Sequence, residues 1–158
     1  MLQLLDKRGG GVLQLEKRRY VMNGWTLVVM WFMHIVDDYY LQGILASMKQ
    51  KSWWQKQESY CEKYKNDYKM ALIMHAFSWA FMIMLPLLWQ FKFEFNPFVY
   101  LIFFVNVGVH AFVDNLKANK KKINLMQDQV IHIIQIIVTA FLVPLAYSGG
   151  NYEIFRFF

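Results

Sequence analysis

The sequence predicts an all-α integral membrane bundle of about four transmembrane helices. Of its 158 residues, 57% are hydrophobic. These residues form long blocks rather than the alternation of a soluble protein, and lysine-rich stretches separate the blocks. A helix needs about 20 apolar residues to cross the hydrocarbon core of a bilayer. The predicted spans lie within a membrane domain, 24–148, and are 24–48, 70–89, 98–116 and 125–147.

The first span is the least regular of the four. A basic segment, 1–23, precedes it, and the apolar block 24–36 is too short to cross a bilayer by itself. Apolar residues resume after Asp38, so 24–48 as one helix is long enough to cross. A secretory signal over 1–36 is an alternative, although its charged region would be unusually long.

Polar segments connect the spans and set the expected topology. Residues 49–69 combine lysines with Trp and Tyr, which is typical of an amphipathic, interfacial connection. The loops after the first and third spans are both basic, and the positive-inside rule places them in the cytoplasm. The basic residues of 1–23 argue against the outside location that this topology gives the N-terminus. The aromatic tail, 149–158, begins with a Gly-Gly break, and its aromatic residues are expected in the interface.

Charge and cysteine content restrict the classes of partner. The formal net charge is +6, and the lysines flank apolar blocks where anionic headgroups lie. We therefore expect membrane lipid as the partner of these charges and no nucleic acid. The sequence leaves two alternatives for a protein partner, a second copy of the chain or another membrane protein. Because Cys61 is the only cysteine, no internal disulfide and no thiolate cluster can form.

All four histidines fall inside predicted membrane helices, and three of them have an aspartate four residues away. Residues at i and i+4 lie on one helix face, so three helices each present an imidazole and a carboxylate in one direction. The depths also agree, because all four helices present these residues toward the end with the basic loops. The candidate metal ligands are His34, Asp38, His75, His110, Asp114, Asp128 and His132.

A bound cation would explain why these acids lie in a membrane. An unpaired Asp at a helix centre costs about 2.5–3.5 kcal/mol on insertion scales, whereas structural zinc sites offer about 10 kcal/mol or more. Imidazoles and carboxylates favour a divalent metal, with zinc first and iron or manganese as alternatives. Seven candidates exceed the needs of one tetrahedral ion. Either two ions share them, or some aspartates orient histidine rings. A metal-free polar network and a proton or ion path are the other interpretations.

Neighbouring polar residues are candidates for substrate contact. Gln42 lies one turn beyond Asp38, and Lys49 lies seven residues beyond Gln42. Lys117 lies seven residues beyond His110, and Gln129 is directly beside Asp128. Near a metal, a lysine can neutralise a phosphate or a developing oxyanion; snorkelling to headgroups is its alternative role. Asp37 is expected to point elsewhere on its helix, as a cap or an alternative ligand. The substrate-contact candidates are Gln42, Lys49, Lys117 and Gln129.

At these residues the chain resembles the family of small bacterial and phage membrane proteins catalogued as domain of unknown function 3307. The family's pattern is a histidine followed by Asp-Phe-x-Leu-Gln and Ala-x-x-Lys. A lone histidine, His-x-x-x-Asp-x-x-Lys and Asp-Gln-x-x-His come later. The chain matches this order over residues 30–135, with Tyr39 in the Phe position, an additional Asp37 and a longer N-terminal segment. The resemblance supports the site and implies no reaction; the expected location is a bacterial inner membrane.

The expected function is a metal-dependent membrane hydrolase acting on a lipid headgroup or a phosphate ester at the cytoplasmic face. A bound metal activates water and polarises a phosphoryl oxygen, and carboxylates bridge ions or act as general base. Alternatives are oxidative di-iron chemistry, a non-enzymatic scaffold or partner-binding protein with a structural metal, and a metal or proton carrier. The predicted catalytic residues are Asp38, Asp114, Asp128 and Lys117.

Overall fold

The computed structural model describes residues 22–57, 62–148 and 155–156. Predictions for the basic segment up to residue 21, for Cys61 and for most of the aromatic tail lie outside the described residues. Within them, the chain is helical except for two short strands. β1 (Met22–Asn23) pairs in parallel with β2 (Phe155–Arg156), which joins the chain just before the first helix to the chain after the last one.

Six α-helices form the described structure. A π-helical segment continues the first of them from Val36 to Leu41, and a 3₁₀ turn, Glu62–Tyr64, precedes the fourth. The helices are α1 (Gly24–Ile35), α2 (Leu45–Met48), α3 (Lys51–Gln55), α4 (Asp67–Gln90), α5 (Pro97–Ala118) and α6 (Leu125–Ser148).

Three helical stretches are long and apolar enough to cross a membrane: Glu62–Gln90, Pro97–Ala118 and Leu125–Ser148. They contain the predicted spans 70–89, 98–116 and 125–147. Many large apolar side chains point outward from the helices, including Phe98, which is 65% exposed, and Met126, which is 73% exposed. A soluble monomer rarely exposes apolar surface on this scale. The helical structure is thus consistent with a membrane protein.

The predicted first span, 24–48, is not one continuous helix. The π-helical segment ends at Leu41, and the chain turns before α2 begins at Leu45. Gly43 lies in this turn with a φ of +49°, a backbone conformation that residues with a side chain rarely adopt. The turn ends the first helix and leads the chain toward Lys49, which is buried against the bundle.

Local capping fixes the two turns between the long helices. Asn96 accepts a hydrogen bond from the backbone N–H of Phe98 at 3.0 Å, and Pro97 occupies the first position of α5. Both are typical helix starts. Before α6, Asn124 and Gln127 exchange side-chain to backbone hydrogen bonds of 2.9 and 3.0 Å, which is a capping box. These short connections make α4, α5 and α6 run up, down and up.

The helix α4 lies at the middle of the bundle, in contact with α1, α5 and α6. Its buried apolar residues recur at helical spacing and form one stripe. These side chains pack against residues of the first helix, α5 and α6 to form the core. The core residues are Met30, Trp79, Ala80, Ile83, Met84, Leu87, Phe91, Val99, Ile136, Ala140 and Val143.

Buried polar residues occupy the other half of the bundle. They come from the end of the first helix, the start of α4, the end of α5 and the start of α6, which all lie at one end in an up-down-up arrangement. Between them and the apolar core, Asn106 and Thr139 hydrogen-bond to each other at 2.9 Å, and Gln135 donates to Asn106 at 2.8 Å. The topology therefore gathers the candidate ligands at one end.

Candidate metal centre

Four side chains meet around the Nε2 atom of His75 on α4. Oδ1 of Asp38 and Nε2 of His110 each lie 3.2 Å from it, and Oδ2 of Asp114 lies 3.5 Å from it. The Gln42 amide also approaches to 2.9 Å. Zinc–nitrogen bonds of 2.0–2.1 Å in a tetrahedral site place neighbouring ligand atoms about 3.3 Å apart. The distances from Nε2 of His75 are compatible with ligands of one ion, and those to Gln42 and His110 are also hydrogen-bond distances.

Asp114 connects this group to a second group around His132. While its Oδ2 faces His75, its Oδ1 lies 3.9 Å from Nε2 of His132, and Oδ1 of Asp128 lies 3.4 Å from the same nitrogen. A carboxylate between two sets of imidazoles is the arrangement that holds two ions in helical di-metal proteins. Two sets have ligand atoms within 4.8 Å of one another: Asp38 with His75 and His110, and His110 with Asp114 and His132.

These residues form what we call the acid–imidazole cluster: Asp38, His75, His110, Asp114, Asp128 and His132. Among the described residues, several of its buried atoms have no hydrogen-bond partner, including Oδ1 of Asp38, Oδ1 of Asp128 and Nε2 of His132. Buried polar side-chain atoms normally have partners. Each of these three lies within 3.4 Å of another candidate ligand atom. A cation beside Asp38 and His75 and a second cation beside Asp128 and His132 would satisfy these atoms, so the donor set fits divalent metals.

The buried charges are also consistent with a bound cation. The cluster and its surroundings contain four buried carboxylates, those of Asp37, Asp38, Asp114 and Asp128, and two lysines. Lys49 donates to Oδ2 of Asp114 at 2.5 Å, and Lys117 donates to Oδ2 of Asp128. With ionised carboxylates and neutral imidazoles, the formal charge is −2. Either a divalent cation or protonated imidazoles would offset this charge.

Asp37 points into the bundle, which corrects the expectation that it points elsewhere. Its carboxylate is buried, accepts a hydrogen bond from Ser78 at 2.6 Å and lies 3.5 Å from Nδ1 of His75. The π-helical segment widens the helical turn, so Asp37 and Asp38 both face α4. A carboxylate beside the far nitrogen of a histidine is a common way of orienting a metal ligand. This contact orients Nε2 of His75 toward Asp38 and His110, and the Gln42 amide nitrogen lies 2.9 Å from it, so Gln42 would have to turn away for an ion to bind there.

His34 lies beside the cluster and already uses both ring nitrogens. Nε1 of Trp79 donates to its Nδ1 at 2.8 Å, and its Nε2 lies 3.1 Å from Oε1 of Gln129. The predicted partner, Asp38, is 3.6 Å from Nδ1. Neither set of converging ligand atoms in the described chain includes His34.

A polar cavity of about 410 Å³ opens next to the cluster. Asp38 belongs to both, because its carboxylate approaches His75 and also lines the cavity. Lys49 is buried and points at Asp114, so it does not snorkel to headgroups as the alternative interpretation required. The structure brings the four substrate-contact candidates together as lining residues: Gln42, Lys49, Lys117 and Gln129.

Trp79, a core side chain that packs against His110 and His132, was not predicted from the sequence. It is fully buried and stacks on His110 with ring centroids 4.1 Å apart. The signal was present, because Trp79 follows His75 by four residues and shares its helix face. Asn119 was also missed: its side chain bonds the backbone of Lys49 at 3.0 Å and of Lys51 at 2.7 Å, which fixes the α2–α3 connection on the end of α5.

Comparison with known proteins identifies the family. A family model described as "Protein of unknown function (DUF3307)" matches residues 26–152. The chain belongs to this family. The match covers every candidate ligand and confirms the resemblance seen in the sequence. No curated protein and no solved structure matches the chain.

Proposed function

We propose that this member of the family is a metal-dependent integral membrane hydrolase that acts on a lipid headgroup or a phosphate ester. The observation that carries the proposal is the position of Asp38, which contacts His75 in the cluster and lines the open polar cavity. Structural metal sites are closed by protein ligands, whereas catalytic sites keep a position accessible to water and substrate. A cluster that opens onto a polar cavity is of the second kind.

The ligands fall into two groups that share Asp114. Asp38, His75 and His110 would hold one ion, and His132 with Asp128 would complete a second position. Zinc is the first candidate, with iron or manganese next, because the donors are imidazoles and carboxylates. When bound, a divalent ion polarises a phosphoryl oxygen and activates water.

The remaining polar residues fit the binding of an anion. Lys117 lies on the cavity wall with its side chain 28% exposed, so its ammonium can contact both Asp128 and an entering phosphate. Lys49 is deeper and fixes Asp114. The amides of Gln42 and Gln129 supply further donors to the cavity. Oδ1 of Asp128, which has no hydrogen-bond donor within the described chain, would either complete the second metal position or, with one ion bound, serve as general base.

The proposed location is the inner membrane of a bacterium, with the site at the cytoplasmic side. The apolar face of α1, including Trp31 and Phe32, is more than half exposed. In the proposal this face contacts lipid, which makes the first helix with its π-helical segment the fourth membrane element. The basic α5–α6 loop and the lysines of 49–57 flank the cavity end and favour the cytoplasm by the positive-inside rule. Anionic headgroups are then the nearest abundant phosphates.

Phosphate release from phosphatidate in mixed micelles tests the proposal. Protein stripped with a chelator and reloaded with zinc or manganese is expected to release phosphate, and the stripped protein is not. Asp128→Asn should lower the rate about 100-fold or more, as for loss of a general base. Glu94→Gln, at the far end of the bundle, is the matched acid-to-amide control and should retain the rate. Glycerol phosphate as a second substrate separates a soluble ester from a lipid headgroup. Metal-loaded protein without turnover on either would contradict the proposal.

A second candidate is a non-enzymatic membrane scaffold or partner-binding protein with a structural metal. The lysine–aspartate pairs favour it, since Lys49 and Lys117 stabilise two carboxylates without any substrate. It predicts metal-dependent stability with no hydrolysis. A carrier is disfavoured, because beyond Asn106 and Thr139 the described core is apolar.

A further inference from the structure

We propose that His34 is a positioning residue that links Trp79 to Gln129 and so aims Asp128 at the metal centre. In this assignment His34 is not a metal ligand. The inference deepens the proposed function and rests on it for the presence of the ion. We call the four side chains Trp79, His34, Gln129 and Asp128 the Trp79 relay.

The donor at each step of the Trp79 relay is fixed by the step before it. An indole N–H can only donate, so Nδ1 of His34, 2.8 Å from Nε1 of Trp79, must accept and carries no proton. The ring proton is therefore on Nε2, which donates to Oε1 of Gln129 at 3.1 Å. With its oxygen accepting, Gln129 uses its amide nitrogen to donate to Oδ2 of Asp128 at 3.1 Å.

The relay determines which oxygen of Asp128 is free. Oδ2 receives two donors, the amide of Gln129 and the ammonium of Lys117. Oδ1 has no donor among the described residues and lies 3.4 Å from Nε2 of His132. Two donors on one oxygen of a buried carboxylate set its rotation about the side-chain axis. The other oxygen is thereby held toward the cluster, where it can bind an ion or accept a proton.

His34 also differs from the other three histidines in its surroundings. Nε2 of His75, His110 and His132 each lies within 3.9 Å of a candidate carboxylate ligand. In His34 the nitrogen nearest a carboxylate is Nδ1, 3.6 Å from Asp38, and the Trp79 N–H already occupies its lone pair. For His34 to bind a metal, Trp79 or Gln129 would have to move, and both are held by packing or further hydrogen bonds.

Two amide substitutions at His34 separate the roles of its nitrogens. Asn places its amide near the position of Nδ1, so His34→Asn keeps a partner for Trp79 and loses the bond to Gln129. Gln reaches the position of Nε2, so His34→Gln keeps a donor for Gln129. The matched control is His132→Ala, which removes a proposed ligand from the same cluster.

Cobalt(II) titration of the purified protein, followed by the visible absorption of the bound ion, distinguishes these variants. His34→Asn should bind as many ions as wild type with about 10- to 100-fold weaker affinity, the usual effect of losing a group that supports a ligand. His34→Gln should stay within about threefold of wild type, and His132→Ala should bind fewer ions. If both His34 variants lose ions as His132→Ala does, His34 is a ligand and the proposal is wrong. Wild-type affinity in His34→Asn would overturn it equally.

A second measurement tests the hydrogen-bond directions of the Trp79 relay in metal-free protein. Nitrogen-15 NMR of histidine-labelled, chelator-treated protein reports which ring nitrogen carries the proton, and the His34 signals are those absent from His34→Gln. We expect a protonated Nε2 and an unprotonated Nδ1, unchanged on addition of zinc. A protonated Nδ1, or a zinc-dependent shift of Nε2 typical of coordination, would contradict the relay. Wild-type protein that takes up no cobalt would refute the proposed metal centre, while the ring proton would still test the relay.

Discussion

At one end of the bundle α4 contributes His75 and Trp79 to a cluster of imidazoles and carboxylates, and at the other end it contributes Ile83, Met84 and Leu87 to an apolar core. The apolar end is satisfied by the contacts that the chain itself makes. The polar end is not, because carboxylate and imidazole atoms there are buried without hydrogen-bond partners in the described chain.

The two ends of the bundle should therefore respond differently to metal binding. Packing at the apolar end consists of side-chain contacts that need no ion. At the polar end four carboxylates face two lysines, and in the proposed function a divalent cation would offset the remaining negative charge. Trp79 belongs to both ends: it is a core residue and also stacks on His110. Substitutions can therefore separate stability that needs metal from stability that does not.

Trp79→Ala is expected to have the largest effect. The substitution leaves a cavity and removes the hydrogen bond to His34, so it should destabilise the bundle by about 3–5 kcal/mol and also weaken metal binding. Reversible unfolding in mixed detergent micelles measures the first effect, and metal titration measures the second. Trp89→Ala is the control, because Trp89 is 76% exposed and should cost less than about 1 kcal/mol. Equal effects of the two substitutions would contradict a central role for Trp79.

Leu87→Ala should destabilise the apolar end by about 2–5 kcal/mol, the usual range for a buried leucine. The loss of stability should be the same with and without zinc, because Leu87 lies in the apolar core away from the acid–imidazole cluster. Unfolding curves recorded with and without zinc measure this loss of stability. A zinc-dependent loss would show that the two ends are coupled.

Zinc itself should stabilise the wild-type protein by about 2.7 kcal/mol when its free concentration is 100 times the dissociation constant. Leu87→Ala should gain the same amount, because its ligands are intact. His132→Ala should gain much less at the same zinc concentration. The shift of the unfolding midpoint on zinc addition measures this gain in stability for all three proteins. A gain in His132→Ala as large as in wild type would remove His132 from the proposed ligands.

Thr139→Val should have the smallest effect. It removes one hydroxyl from the network with Asn106 at the boundary between the two ends. Hydrogen bonds of this type between membrane helices contribute about 0.6 kcal/mol on average. Metal affinity should be unchanged. A measured change in metal affinity would indicate that the polar network continues the metal site toward the far side, as a carrier would require.

The local part of the site could be predicted from sequence because helical winding is a short-range rule. The spacing of His110 and Asp114, and of Asp128 and His132, places each pair on one face whatever the rest of the chain does. The candidate substrate residues followed from the same rule. Family membership was likewise readable from the order of these residues.

Features that depend on contacts between helices could not be predicted in this way. The inward direction of Asp37 follows from a π-helical segment that the periodicity does not reveal. The end of the first helix depends on the backbone of Gly43. Which nitrogen of His34 carries the proton depends on Trp79 and Gln129, which lie on two other helices. Tertiary contacts decide such details, whereas spacing along one helix does not.

The metal content of the purified protein decides whether the acid–imidazole cluster binds a cation. Elemental analysis of wild type and of an Asp114→Ala/His132→Ala variant, purified side by side without added metal, compares an intact cluster with one that lacks its shared carboxylate and a histidine. We predict one or two divalent ions per wild-type chain and a large loss in the variant. Equally little bound metal in both proteins would contradict the account.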